Sequence, residues 1–400
     1  MKKIELLAPA GDYEKMKWAF WYGADAVYIG GYNFGLRANA VNFSKKELKK
    51  SVIYAHKLNK KVYVTVNIVL HNQELKKIEK YLIELEKIEV DAIIVSDLYV
   101  LKLAKKITNL EVHISTQASV FNYQAALILE EMGASRIILA RELHKKDIKL
   151  IIEKTNLEIE TFIHGAMCAG VSGRCVLSNV LTNRDANRGG CSQICRWHFS
   201  LFSQNEKVSD CFSLSTKDLI MAKYIKELIK IGVKSLKIEG RMRSIYYIAT
   251  VVSIYRRIID GFFENENYQI SKNDLFNLER VANRELIAQF FKKGCQKEYQ
   301  YYGQREENSN QDFLGIILGY NKKNNLALIE QRNYFETGEM VEYFSPNEAG
   351  FCFRIEEIFD EKMNKIKVVR HPKQTVYLKT EHILEKNGII RKNNLTKKIN

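Results

Sequence analysis

Eight short runs of apolar, β-branched residues recur along the N-terminal part of the chain, separated by amphipathic stretches of helical period. They are Ile4–Ala8, Ala26–Ile29, Val62–Ile68, Ala92–Ser96, Val112–Ser115, Arg136–Ala140, Glu158–His164 and Ser235–Glu239. Continuous rather than alternating apolarity marks strands buried on both faces, and a helix between two such strands makes the connection a parallel crossover. Two architectures satisfy that pattern, a closed (β/α)8 barrel and an open doubly wound sheet. A barrel takes about 250 residues. The eighth run falls close to that length, so residues 1–262 read as a TIM-like barrel, an α/β fold. Gly23–Val27 and Gly232–Leu236 supply the helix-stop, turn and strand units that such a barrel uses.

Past the eighth run the pattern changes. Tyr246–Phe263 and Lys272–Lys292 keep helical periodicity, while Glu264–Gln269 and Gln296–Gln311 are polar, so 263–311 reads as a helical linker. From Phe313 the residues alternate, with turn signals at Asn324-Asn325, Thr337-Gly338 and Pro346-Asn347, which predicts a small all-β domain over 312–385. Residues 386–400 lack apolar periodicity and carry Arg391, Lys392, Lys397 and Lys398, the signature of a disordered basic tail.

Sixty-two Lys and Arg against 47 Asp and Glu give a net charge of +15, so the mean field favours polyanions, with nucleic acid the leading partner. A Lys-, Asn- and Ile-rich compositional skew with only three Pro is an equally simple source of that charge. Seven cysteines are too few for a disulfide scaffold and odd in number, which points to reduced thiols. No run of about 18 apolar residues occurs. The expectation is a cytoplasmic protein without a membrane partner, of open oligomeric state.

The most informative segment is His164–His198, at the end of the seventh run, where barrels build active sites. It holds Cys168, Cys175, Cys191 and Cys195, leaving Cys211, Cys295 and Cys352 scattered elsewhere. Spacing alone leaves three readings open. Zinc suits the close pair Cys191/Cys195 but is strained by the wider gap from Cys168 to Cys175. An iron–sulfur cluster tolerates irregular loop spacings. Free or buried thiols are the third. The segment also contains Arg174, Arg184, Arg188 and Arg196, against Asp185 as its one acid, and no Lys. Guanidinium forks bind phosphate and carboxylate bidentately, so Arg174, Arg188 and Arg196 are candidates for an anionic substrate.

Polar residues at the other strand ends converge on the same mouth: Arg37, Asn67, Ser115-Thr116-Gln117, Arg141-Glu142, His164 and Lys237-Glu239-Arg241. Glu239, Arg241, Arg37 and His164 are the candidate catalytic groups, with Asn67 and Gln117 as substrate contacts. Paired guanidiniums would hold a small dicarboxylate, and Glu239 would orient an arginine or move a proton; the bland alternative is a Glu239–Arg241 ion pair bracing the eighth strand. Metalloprotease H-E-x-x-H, G-x-S-x-G, P-loop and Rossmann signatures are absent from the sequence.

These segments resemble the peptidase U32 (collagenase-like) family, and within it the tRNA-hydroxylating branch. The resemblance is carried by Leu6-Leu7-Ala8-Pro9-Ala10-Gly11, Tyr22-Gly23-Ala24-Asp25-Ala26-Val27-Tyr28, His113-x-Ser115-Thr116-Gln117, Asn187-Arg188-Gly189-x-Cys191-x-Gln193-x-Cys195-Arg196 and Lys237-Ile238-Glu239-Gly240-Arg241-Met242. Arg243 departs from the Lys expected there. The resemblance implies a [4Fe–4S] cluster on Cys168, Cys175, Cys191 and Cys195. It further implies oxygen-independent hydroxylation at C5 of the wobble uridine of tRNA, with prephenate as hydroxyl donor. Two rival functions follow from the same features: a U32 collagenase-like peptidase, and an RNA-binding protein with a structural cluster.

Overall fold

The computed structural model describes residues 4–36, 42–292, 294, 296–301 and 311–393. All eight apolar runs are strands: β1 (Glu5–Pro9), β2 (Ala26–Gly30), β3 (Lys61–Val66), β4 (Ala92–Val95), β5 (Glu111–Ile114), β6 (Arg136–Ile138), β7 (Glu158–Gly165) and, after an insertion, β12 (Ser235–Ile238). Each pairs in parallel with the next, and β12 pairs with both β7 and β1. The sheet therefore closes. The open-sheet alternative is excluded by the registers Glu5↔Ser235 and Ser235↔Glu160 on the two edges of β12.

Local chemistry starts the crossover helices where the strands require them. Asp12 caps α1 (Tyr13–Trp21), Ser44 and Glu47 form a capping box on α2 (Lys45–Lys57), and Asp97 and Asn122 cap α4 (Leu98–Ile107) and α5 (Tyr123–Glu131). Helices α3 (Leu75–Lys87) and α6 (Lys145–Lys154) complete the early turns, and Ile78, Leu82 and Leu85 of α3 are buried. Helix α9 (Ile245–Glu264), capped by Ser244, follows β12 and is buried along most of its length.

The barrel lumen is filled in layers. Leu7, Ala26, Tyr28, Tyr63, Ala92, Ile94 and Ile138 form an apolar cluster with Phe162 against it. At the N-terminal ends of the strands lies a charged floor. Arg136 reaches Glu5 Oε1 at 2.5 Å, Glu158 Oε2 at 2.7 Å and Glu160 Oε2 at 3.1 Å, and Lys237 Nζ lies 2.8 Å from Glu160 Oε1. The Tyr63 and Ser235 hydroxyls donate to Glu5 at 2.5 and 2.7 Å. Every acid of this floor thus faces a cation or a hydroxyl, which is what lets charge persist inside a barrel.

The insertion between β7 and β12 carries elements too short to announce themselves in the sequence. They are helix α7 (Leu177–Thr182), the hairpin β8 (Phe199–Ser203) and β9 (Glu206–Phe212), strands β10 (Ser215–Thr216) and β11 (Asp218–Ile220), and helix α8 (Ile225–Ile231). Strand β11 runs antiparallel to the end of β7, pairing Leu219 with Gly165 and Ile220 with His164. The stretch expected as a helical linker is partly sheet. After α10 (Lys272–Arg280), β13 (Leu286–Ile287) pairs with β11 and β14 (Gln300–Tyr301) with β10, and the first compact unit runs to Glu307.

The second unit, 308–400, is an antiparallel all-β domain. Its eight-stranded sheet is built on Phe313–Asn321, which pairs with Leu326–Gln331 on one edge and Ile389–Lys392 on the other. Leu314, Ile317, Ile329, Phe335, Tyr343 and Ile390 belong to its core. Here the reading of 386–400 as a disordered tail is corrected. Ile389–Lys392 lies inside the sheet, and Arg391 is buried because Glu342 accepts its Nε at 2.9 Å and its Nη2 at 2.5 Å. Residues 394–400 lie outside the described ones. Among the described residues, no helix is long and apolar enough to cross a membrane.

Candidate active site

The C-terminal ends of seven barrel strands, together with the insertion, enclose a cavity of about 560 Å³, well inside the range of small-molecule sites, about 300–1,000 Å³. Tyr28 of β2, Thr65 of β3 and Asn67 beyond it, Ile94 of β4, Ser115–Gln117 after β5, Arg141 after β6, Phe162 of β7 and Lys237 of β12 contribute to its wall. All four segment cysteines, Cys168, Cys175, Cys191 and Cys195, line it as well. Among the described residues, six cations do so: Arg141, Arg196, Lys237, Arg241, Arg243 and Arg284. The acid among the described lining residues is Glu239.

Each cation is positioned by specific neighbours. Arg241 donates to Thr65 Oγ1 at 3.2 Å and Asn42 Oδ1 at 3.1 Å. Its guanidinium occupies the space where a Cβ on Gly30 would sit, 2.6 Å away, so the glycine at the end of β2 is a condition for that placement. Arg243 and Arg284 share Asp218, at 3.5 and 2.9 Å, and Arg284 also donates to the Thr216 carbonyl. Burial raises the Asp218 carboxyl above its ordinary value, with both arginines opposing. Arg141 lies 3.9 Å over the Phe162 ring and donates to the Ala166 carbonyl at 2.5 Å. Lys237 lies over the Tyr28 ring, and burial lowers its ammonium while Glu160 opposes that shift.

The cysteines sense one another. Burial pushes the Cys168 thiol up, neighbouring Cys175 and Cys191 add to the shift, and Arg141 opposes it. Burial likewise raises Cys195, with the other three cysteines adding and Arg196 opposing. The loop is tied down by backbone-directed contacts: Asn187 accepts from the Cys175 amide at 3.3 Å and donates to its carbonyl at 3.0 Å. Among the described residues, no three His, Cys, Asp or Glu side chains are grouped to hold one metal ion.

Several candidates from the sequence lie elsewhere. Arg188 is not a lining residue. It forms a bidentate pair with Glu74, at 2.5 and 2.7 Å, and donates to the Val69 carbonyl, fastening the cysteine loop to the turn after β3. Arg188 in turn holds the Glu74 carboxyl down at about 2. Arg174 is also spent on structure, donating to the Gln117 carbonyl at 2.6 Å. His164 is sealed behind the wall, its Nδ1 3.2 Å from the Tyr255 hydroxyl, and burial lowers it to about 3, so it is neutral at pH 7. Arg37 lies outside the described residues, as does Cys295. Glu239, Arg241, Arg196, Asn67 and Gln117 do line the cavity. Asn67 spans the mouth, accepting from the Leu36 amide and donating to Ser115 Oγ.

Sequence reasoning missed Arg284 altogether and gave Arg141, Arg243 and Lys237 no role. Arg141 and Lys237 had a legible signal, a charged residue at the end of an apolar strand. Arg284 had none, because its partner Asp218 sits on a three-residue strand in the insertion.

A model of peptidase family U32 matches residues 11–301, and one of the family's C-terminal domain matches 309–391. The chain is 43% identical over 401 residues to tRNA hydroxylation protein P1 of Bacillus subtilis, covering 98% of this chain and 95% of that protein. It is 40% identical over 264 residues to the 23S rRNA 5-hydroxycytidine C2501 synthase of Escherichia coli, covering 66% of this chain and 40% of the relative. It is 37% identical over 355 residues to an uncharacterized protease of Methanocaldococcus jannaschii, covering 85% and 86%.

Proposed function

Because the chain belongs to peptidase family U32, we propose that it is an RNA-modifying enzyme that hydroxylates C5 of the wobble uridine in tRNA, with prephenate as hydroxyl donor and without dioxygen. The observation that carries this reading is the cavity itself: among the described residues, four cysteines and six cations line it with one acid. Such a site needs anions, and both a phosphate-bearing nucleotide and a dicarboxylate supply them. The similarity to the B. subtilis tRNA hydroxylation protein and the E. coli rRNA 5-hydroxycytidine synthase supports RNA hydroxylation as the reaction class.

The cysteine donor set fits a [4Fe–4S] cluster. Burial and the neighbouring cysteines raise the Cys168 and Cys195 thiols, a cost that a shared positive partner would relieve. The irregular spacing of the four cysteines along the loop suits a polynuclear cluster better than zinc. When bound through Cys168, Cys175, Cys191 and Cys195, the cluster supplies redox or Lewis-acid chemistry at the cavity wall. Of the chain's own groups, Glu239 is the acid placed to move a proton, its backbone N–H fixed by the His164 carbonyl at 2.8 Å. Arg241 and Arg196 offer guanidinium forks to the anions entering the mouth.

The peptidase reading has less support. No histidine is among the described residues that line the cavity, so its serines and cysteines lack an adjacent imidazole base. The experiment that tests the proposal is anaerobic incubation of iron-reconstituted protein with tRNA and prephenate, and with gelatin in parallel. Hydroxylated nucleoside that requires prephenate, with intact gelatin, is the expected result. Gelatin cleavage without nucleoside product would overturn it.

A further inference from the structure

Of the six cations lining the cavity, two stand apart in how their charge is met. Arg243 and Arg284 share Asp218, Arg241 is engaged by the Thr65 and Asn42 side chains, and Arg196 acts on the Cys195 thiol. Arg141 and Lys237 lie against the same ring, the Arg141 guanidinium 3.9 Å and the Lys237 ammonium 5.4 Å from the Phe162 centroid. Lys237 pairs with Glu160 at 2.8 Å, and that carboxylate also serves Arg136 at 3.1 Å. Arg141 has a carbonyl partner in Ala166, while its Nε is buried with no hydrogen-bond partner among the described residues.

Lys237 is therefore a buried cation that shares its acid with Arg136, and the half-buried Arg141 guanidinium lies beside it across one ring. Desolvated like charges repel strongly unless an anion enters between or beside them. An orphaned buried N–H is costly for the same reason. Phe162 and Tyr28 supply apolar surface next to both cations.

We propose that Arg141 and Lys237 are the paired anchors for the two carboxylates of a small dicarboxylate whose carbon frame packs on Phe162 and Tyr28. This rests on the reading of the cavity as a hydroxylation site with a dicarboxylate donor, and it moves donor recognition from Arg241 to the floor of the mouth. Glu160 and Arg136 then act as positioning residues that hold the Lys237 ammonium in place. Arg241, held in the wall by Thr65 and Asn42, is left for the RNA side of the reaction.

The test is calorimetric binding of prephenate, and of phenylpyruvate as a ring-bearing acid with one carboxylate, to the intact protein. Wild type binds prephenate more tightly. Arg141→Met and Lys237→Met each weaken prephenate by about tenfold or more, as expected for truncating a buried charge pair, and bring the two ligands close to parity. Affinity for tRNA stays unchanged. Lys237→Arg keeps the charge and retains prephenate binding. Where Lys237→Met fails to fold, Lys237→Met with Glu160→Gln removes the stranded acid and carries the same expectation. Prephenate affinity within about twofold of wild type in both Met variants overturns the assignment while leaving hydroxylation intact. Loss of succinate binding in those variants, in a protein that forms no hydroxylated nucleoside, sustains the dicarboxylate site and overturns the hydroxylase reading instead.

Discussion

The two ends of the barrel handle charge in opposite ways. At the floor, Glu5, Glu158 and Glu160 surround Arg136, and Lys237 reaches Glu160 from the cavity side, so the acids are met within the protein. At the mouth, five further cations line the cavity with Glu239 among the described residues, and Asp218 behind the wall serves two of them. Both ends sit on the same strands and are desolvated by the same helices. Buried charge by itself therefore says little about function; surplus charge of one sign does. The floor is an internally closed network of the kind that fixes strand register. The mouth is an open one, whose completion must come from outside the chain.

This contrast can be broken at the cysteines first, where the largest effect is expected. Changing any one of Cys168, Cys175, Cys191 or Cys195 to Ala abolishes hydroxylation and removes the brown absorbance and the iron, measured by iron and sulfide analysis of anaerobically purified protein. Cys211→Ala and Cys352→Ala leave iron content intact, since β9 and the C-terminal sheet hold those thiols. The floor comes next. Arg136→Met strands Glu160 and Glu5 in the interior and costs about 3–5 kcal/mol of unfolding free energy, read by denaturant titration. A mouth variant such as Arg241→Ala changes stability less, keeps its iron and loses product. If Arg241→Ala proved the more destabilising of the two, the division between closed floor and open mouth would fail.

Arg188 sharpens the contrast on a smaller scale, because it left the candidate site for a structural pairing. Glu74 is held at about 2, below its ordinary 4.5, so the pair stabilises the fold fully above about pH 4.5 and loses that contribution as pH falls through about 2. Arg188→Ala should cost about 1 kcal/mol at pH 7, as a partly exposed pair does, and flatten the acid limb of the stability profile. An Arg188→Ala protein with wild-type acid stability but lost substrate binding would return this arginine to the site.

Much of the fold was legible because the eight barrel strands are largely buried on both faces and carry predominantly apolar runs. The cysteine cluster was legible because four thiols fall in one loop. What escaped was set by pairing across distance. Strands β10, β11, β13 and β14 have two or three residues each and exist only through their partners. Arg391 reads as a solvated tail residue until Glu342 is seen beside it. Arg188 and Arg174 read as substrate forks until Glu74 and the Gln117 carbonyl take them up. Arginine density in a loop reports how many forks are present, and the neighbours brought in by folding decide which remain for a ligand.

The most direct measurement is nucleoside mass spectrometry of tRNA incubated, without dioxygen, with iron-reconstituted protein and prephenate labelled with oxygen-18 at its hydroxyl group. The mouth as described here predicts 5-hydroxyuridine carrying the label, formed in proportion to prephenate occupancy. Unlabelled product that appears only when dioxygen is admitted, or no hydroxylated nucleoside at any prephenate concentration, would contradict it.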